Sequence, residues 1–228
     1  MFQGNEMKLK IRMLQVVFPI CLLVLLGGCG EPGVRSPNER DSSHNVSVSL
    51  DSSTLRKGDT LKKRVRDICQ TMQSMTNSEV RVKTLHETAN AVASIDFAKF
   101  SLREKEGMSQ NFFRVYEQLS YHLIENGVSE QIVGDFIISG FRKYREMCFS
   151  FGDEKDMSDG KGREAMERRR MARGMRLAWL NDAGFFEQHS IRTIFYNHKD
   201  AGRRFAERWH REFGYHDERI KKYSYSLP

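Results

Sequence analysis

From Asp59 onward, apolar residues recur at intervals of three and four, the spacing that lays one stripe along an α-helix. Leu61, Val65, Ile68, Cys69, Met72 and Met75 form the first stripe, with Asp59 as its expected N-cap. Val82, Leu85, Ala89, Val92 and Ile95 form a second, capped by Ser78. Ser109 opens a third, carrying Phe112, Tyr116, Leu119 and Leu123, and Asn126-Gly127 stops it. A fourth follows Ser129. Its Ile132, Val133, Phe136, Ile137, Gly140, Phe141, Tyr144, Met147, Cys148 and Phe151 share one half of the helical wheel, and Gly152 ends it.

Asp153 to Gly162 reads as a polar loop and Arg163–Leu180 as a fifth helix. Phe185–Tyr196 fits a short helix or a strand equally well. Asp200–Phe213 is a final helix stopped by Gly214, with a surface tail to Pro228. No convincing alternating strand and no fixed-period repeat interrupts this pattern. The expected fold is all-α, an antiparallel helical bundle of about five to six helices joined by short connections.

Residues 30–58 break the pattern. Gly, Pro and Ser dominate, large apolar side chains are few, and such a segment cannot bury enough surface to offset its ordering entropy. It reads as a flexible tether with a reach of about 30 Å; Val46, Val48 and Leu50 alternate but make at most a short strand. Before it, Lys8, Lys10 and Arg12 precede an apolar run from Val16 to Leu26 and the small residues Gly27 and Gly28. A charged start, a short apolar core and small residues before a cut are the physical pattern of a secretory signal. The apolar core is too short to span a bilayer.

Leu26-Gly27-Gly28-Cys29 resembles the lipobox of bacterial lipoproteins. The resemblance covers the signal alone. It implies that residues 1–28 are a removed signal peptide and that Cys29 is acylated. Residues 29–58 are then the lipidated Cys and tether, and 59–228 the helical domain. The implied partner is a membrane, held through Cys29, because two or three acyl chains anchor firmly where one binds marginally. The implied location is the bacterial cell envelope. In a Gram-negative cell, Gly30 rather than Asp after the Cys points to the outer membrane, facing the periplasm.

Export colours the remaining cysteines and charge. Cys69 and Cys148 are left as an even pair in an oxidising compartment. Both lie on apolar helical stripes, so a Cys69–Cys148 bridge is the expectation, with two buried thiols as the alternative. Such a bridge would close a loop worth roughly 4 kcal/mol on the chain-entropy model. The full chain carries a net charge of +7. The signal holds Lys8, Lys10 and Arg12 against Glu6, a net of +2, which leaves the mature chain at +5.

The search for chemistry returns little. No nucleophile elbow, Walker loop or dinucleotide fingerprint is present. His86-Glu87-Thr88-Ala89-Asn90 lacks the second His that zinc needs. Asp153, Asp156 and Asp159 are spaced by three rather than two, and Lys161 stands where a calcium loop needs Gly, so a solvated loop is expected. No cofactor, metal or catalytic residue is assigned. His189 or His210 beside a Glu would make an acid–base pair, but sequence cannot bring them together.

The strongest signal is basic. Arg163, Arg169, Arg170, Arg173 and Arg176 share an arc of about 140° on the fifth helix, with Met171, Met175, Ala178 and Trp179 opposite and Arg168 intruding on the apolar side. Clustered Arg binds phosphate or carboxylate bidentately. Nucleic acid is a poor partner for an exported chain. The resulting expectation is an envelope lipoprotein with a binding or structural role, contacting an anionic envelope component or protein partner through this arc. The alternative is an envelope hydrolase with a His/Glu site assembled from separate helices.

Overall fold

The computed structural model describes residues 50–150 and 162–224. The signal segment, Cys29, the tether up to residue 49, Phe151, Gly152 and the Asp153–Gly160 acidic loop lie outside the described residues.

The fold is all-α, with no strand among the described residues. Helices α1 (Ser52–Leu55), α2 (Gly58–Ser74) and α3 (Ser78–Ala93) come first. A 3₁₀ turn (Phe97–Lys99) leads to α4 (Leu102–Ser109), α5 (Phe112–Glu125) and α6 (Glu130–Phe149). Then α7 (Arg163–Phe185) runs through a π-helical turn (Phe186–Ser190) into α8 (Ile191–Ile194). The chain closes with α9 (Lys199–Phe213) and α10 (His216–Ser224).

Local chemistry sets the ends. Asn77, not Ser78, caps α3: its side chain accepts from the Glu79 and Val80 amides at 3.0 and 3.2 Å. Ser129 caps α6 as expected, accepting from the Ile132 amide at 3.4 Å. Asp59 lies inside the first turn of α2, where a carboxylate favours the positive end of the helix dipole. Ser109 ends α4 instead of opening α5. Helix α4 itself begins at a capping box, Ser101 with Glu104. Gly127 and Gly214, at φ of 80° and 74°, take the left-handed backbone that stops α5 and α9.

Helix α5 is buried on nearly every side. Phe112, Phe113, Val115, Tyr116, Leu119, Leu123 and Ile124 all leave solvent, which is why α2, α3, α6 and α8 can all pack around it. Rings fill the spaces between helices. Tyr116 stacks on Phe136 at 4.5 Å, and Phe186 stacks on Trp209 at 4.9 Å. Gly140 lets α6 approach this layer: a Cβ there would sit 1.9 Å from Cε1 of Tyr116.

One open alternative is decided and two expectations are corrected. Phe185–Tyr196 is not a strand; it continues α7 through the π turn, burying Phe186, Ser190, Ile191 and Ile194. The C-terminal tail is not merely surface; α10 packs on α7, with Arg219 buried and Tyr223 against Phe149 and Trp179. Cys69 and Cys148 are unbridged buried thiols. Helix α2 packs chiefly on α5 and α4 while α6 packs chiefly on α7 and α5, so each thiol closes its own part of the core. Burial pushes the Cys69 thiol up to about 12, and burial with the nearby Asp182 carboxylate raises Cys148 well above its ordinary value.

Candidate functional site

Helix α7 buries Met171, Ala172, Met175, Trp179, Leu180 and Ala183, and these hold it against α4 and α6. The opposite ridge must therefore face water. Met166, Arg170, Arg173 and Leu177, spaced by four, three and four, are all exposed along it, with Arg163 at its start. Arg163, Arg170 and Arg173 have no ion pair among the described residues. Arg169 is exposed too but is not without a partner.

Two arginines depart from the expected arrangement. Arg176 leaves the exposed arc: it is buried, its guanidinium 5.7 Å from the Phe149 ring centroid. It stands at the edge of the arc, where α7 turns toward its neighbours. Arg168, expected to intrude on the apolar side, is instead exposed and pairs with Glu164 one turn away at 2.6 Å. The exposed Met166 and Leu177 beside the cations were not singled out by the sequence, although their spacing from Arg170 and Arg173 carries the signal.

Two of the four arginines of α9 behave differently, and an α9 carboxylate takes an arginine of α6. Arg208 reaches Asp135 at 2.6 Å, Arg203 pairs with Asp200, and Glu212 receives Arg142 at 2.8 Å. These are mainly ties between α9 and α6. They answer to internal carboxylates, which the α7 ridge does not.

The π turn gathers a second group. Glu187 takes His210 Nε2 on one oxygen at 3.2 Å and the buried Arg219 on the other. Arg219 also donates to the Gly214 carbonyl, and His210 stacks on Tyr215 at 4.1 Å. Burial pushes the Glu187 carboxyl up, but the Arg219 hydrogen bond and charge, with His210 behind them, outweigh it and hold the group below the usual carboxylate range. A carboxylate so committed orients its partners and is a poor general base. Glu187 does line a cleft of 570 Å³ with Ile191, Arg192, Phe195, Tyr196, Lys199 and Gly202, but no Ser, Thr or Cys lines it. The His–Glu contact that the hydrolase alternative calls for therefore exists, with its carboxylate at the edge of this cleft.

The other histidines are scattered. His198 meets Glu130 at 2.9 Å on the surface, and His189 tilts onto Phe185. His122 is driven toward its neutral form by burial, against Glu125. Among the described residues no group of three His, Cys, Asp or Glu converges as a metal requires, and no helix is long and apolar enough to cross a membrane.

A third group lies where α4, α6 and α7 meet. The fully buried Tyr144 places its hydroxyl 2.7 Å from the Ser109 carbonyl and 2.8 Å from Oδ2 of Asp182. Nearby on α5, Arg114 donates to Glu117 at 2.9 Å, and the Ser190 hydroxyl donates to the same carboxylate. Burial pushes the Asp182 carboxyl up to about 6 against the opposing pull of Tyr144 and Arg114, with Glu117 adding to the rise.

Comparison of the chain with protein-family models, with curated proteins and with solved structures gave no match.

Proposed function

We propose that this chain is a membrane-anchored envelope lipoprotein with a binding role, held through Cys29, that presents the α7 ridge to an anionic envelope component. The observation that carries the reading is the exposed run of Arg163, Arg170 and Arg173 without ion pairs among the described residues. A guanidinium that leaves its charge unpaired toward water is available for a phosphate or carboxylate. The lipobox-like Leu26-Gly27-Gly28-Cys29 and the tether after it favour a surface partner over a cytosolic nucleic acid.

Basic residues close to an anionic surface each contribute about 1 kcal/mol. Changing Arg163, Arg170 and Arg173 together to Gln should therefore weaken binding of the compact unit Val46–Pro228 to anionic vesicles on the order of 100-fold. Neutral vesicles should bind little. Binding should fade as salt shortens the Debye length from about 10 Å at 0.1 M to 3 Å at 1 M. Equal binding to anionic and neutral vesicles, or no loss in the triple variant, refutes the role of the ridge.

A further inference from the structure

The junction of α4, α6 and α7 raises a question of proton count. Tyr144 Oη lies within hydrogen-bond distance of two acceptors, the Ser109 carbonyl at 2.7 Å and Asp182 Oδ2 at 2.8 Å. A phenol carries one hydrogen, a backbone carbonyl none, and an ionised carboxylate none. With Asp182 ionised, three oxygens would share a single hydrogen across two close contacts. One contact would be lone pair against lone pair, in a place where Tyr144 is 0% exposed and water cannot stand between. With Asp182 protonated the count closes. The carboxylic O–H donates to Tyr144 Oη, and the Tyr144 O–H donates to Ser109.

We infer that Asp182 is the proton-binding residue of a latch that ties the end of α4 to α6 and α7 while its carboxyl is protonated and releases it on ionisation. This inference does not depend on the lipoprotein reading.

The surroundings agree from each packed helix. On α6, Tyr144 cannot supply a second form of the network: burial first, then the neighbouring Cys148 and Asp182, raises its phenol well above the ordinary value. Cys148, on the same helix, is likewise held as a thiol. On α5, the cation facing Asp182 is Arg114, but its guanidinium is committed to Glu117, and Glu117 opposes a charge on Asp182. The contact from α4 is an uncharged carbonyl. Burial therefore prevails, and the carboxyl rises from its ordinary 3.8 to about 6.

The same count describes what happens on ionisation. A carboxylate competes with the Ser109 carbonyl for the Tyr144 hydrogen and, being charged, is the stronger acceptor. Ser109 is the last residue of α4, so its carbonyl loses its donor and the helix end is released. Because the folded state holds the proton more tightly than the unfolded chain, the stability from this group is complete below about 3.8 and is lost as pH rises to about 6.

The test is a titration of the full chain in detergent micelles, with aspartate carboxyl carbons labelled and followed by NMR. The Asp182 resonance should inflect near pH 6, well apart from the exposed aspartates. Amide protection at the end of α4, corrected for intrinsic exchange, should fall through the same pH range. Asp182→Asn keeps a donor toward Tyr144 at every pH and should abolish that pH dependence. If this variant fails to fold, the wild-type titration alone decides. An Asp182 inflection at or below its ordinary 3.8, or α4 protection that ignores pH, overturns the inference.

Discussion

Adding one methyl group at Gly140 isolates the contact between α5 and α6. An Ala Cβ at this position would lie 1.9 Å from Cε1, 2.3 Å from Cζ and 2.6 Å from Cδ1 of Tyr116. Carbon atoms settle at about 3.5–4.0 Å, so the ring would have to retreat by roughly 1.5 Å or more. It has nowhere to go: Tyr116 is 1% exposed, with Phe136 stacked on it and Phe112 at 4.6 Å. Overpacking of a tight core costs about 1–3 kcal/mol and occasionally more, and an overlap with a rigid ring belongs at the upper end. Against this stands a helix-propensity gain of about 1 kcal/mol for Ala over Gly. The clash wins, and Gly140→Ala should lose about 2 kcal/mol or more, a fall in Tm of roughly 4–8 °C for a chain of this size. Gly174, on the exposed side of α7, provides the control. Nothing lies within 4 Å of a Cβ there, so Gly174→Ala should gain up to about 1 kcal/mol from propensity alone. Urea unfolding followed by far-UV circular dichroism, at unchanged slope, measures both. A Gly140→Ala protein as stable as wild type would refute the packing argument. The loss should shrink when Tyr116 is also changed to Leu, since the two sites are coupled through one contact.

Removing the buried guanidinium tests the π-turn cluster. Arg219→Ala leaves the Glu187 carboxylate largely buried with only His210 for company, and should cost about 3–5 kcal/mol in urea unfolding; a cost under about 1 kcal/mol would mean that the pair adds nothing beyond a surface ion pair. Non-reducing intact-mass analysis of the membrane-extracted protein tests the cysteines together. The expected mature chain begins at an acylated Cys29 and retains both thiol hydrogens at Cys69 and Cys148. An unmodified Cys29 would sink the lipoprotein proposal, and a mass lower by two hydrogens would contradict the unbridged core.

Sequence periodicity was a good guide wherever a helix buries one apolar stripe, as α2, α3, α6 and α9 do. It missed α4, whose only buried residues are Met108 and Ser109, because two positions make no stripe. It left α10 as tail because the residue that helix buries is Arg219, which any hydropathy reading assigns to water. The arginine arc failed at Arg176 for the same reason: a wheel shows which residues share a side, but not where a neighbouring helix covers the edge. The Tyr144–Asp182 contact joins residues 38 apart on different helices, and neither lies in a motif that would pair them. Fold class was therefore accessible from local pattern, whereas the polar groups of the core depend on packing between distant segments.

The position of α10 also has a consequence in time. Glu187 is synthesised 32 residues before the Arg219 that neutralises it. At translation rates of about 5–20 residues per second, the gap is roughly 2–6 s, during which the π turn carries a carboxylate that the core cannot yet enclose. The rings of Phe149 and Trp179 wait equally for Tyr223. The π turn and the Phe149–Trp179 pair are thus closed only by α10, a helix made after every element it clasps, so this part of the core is sealed late.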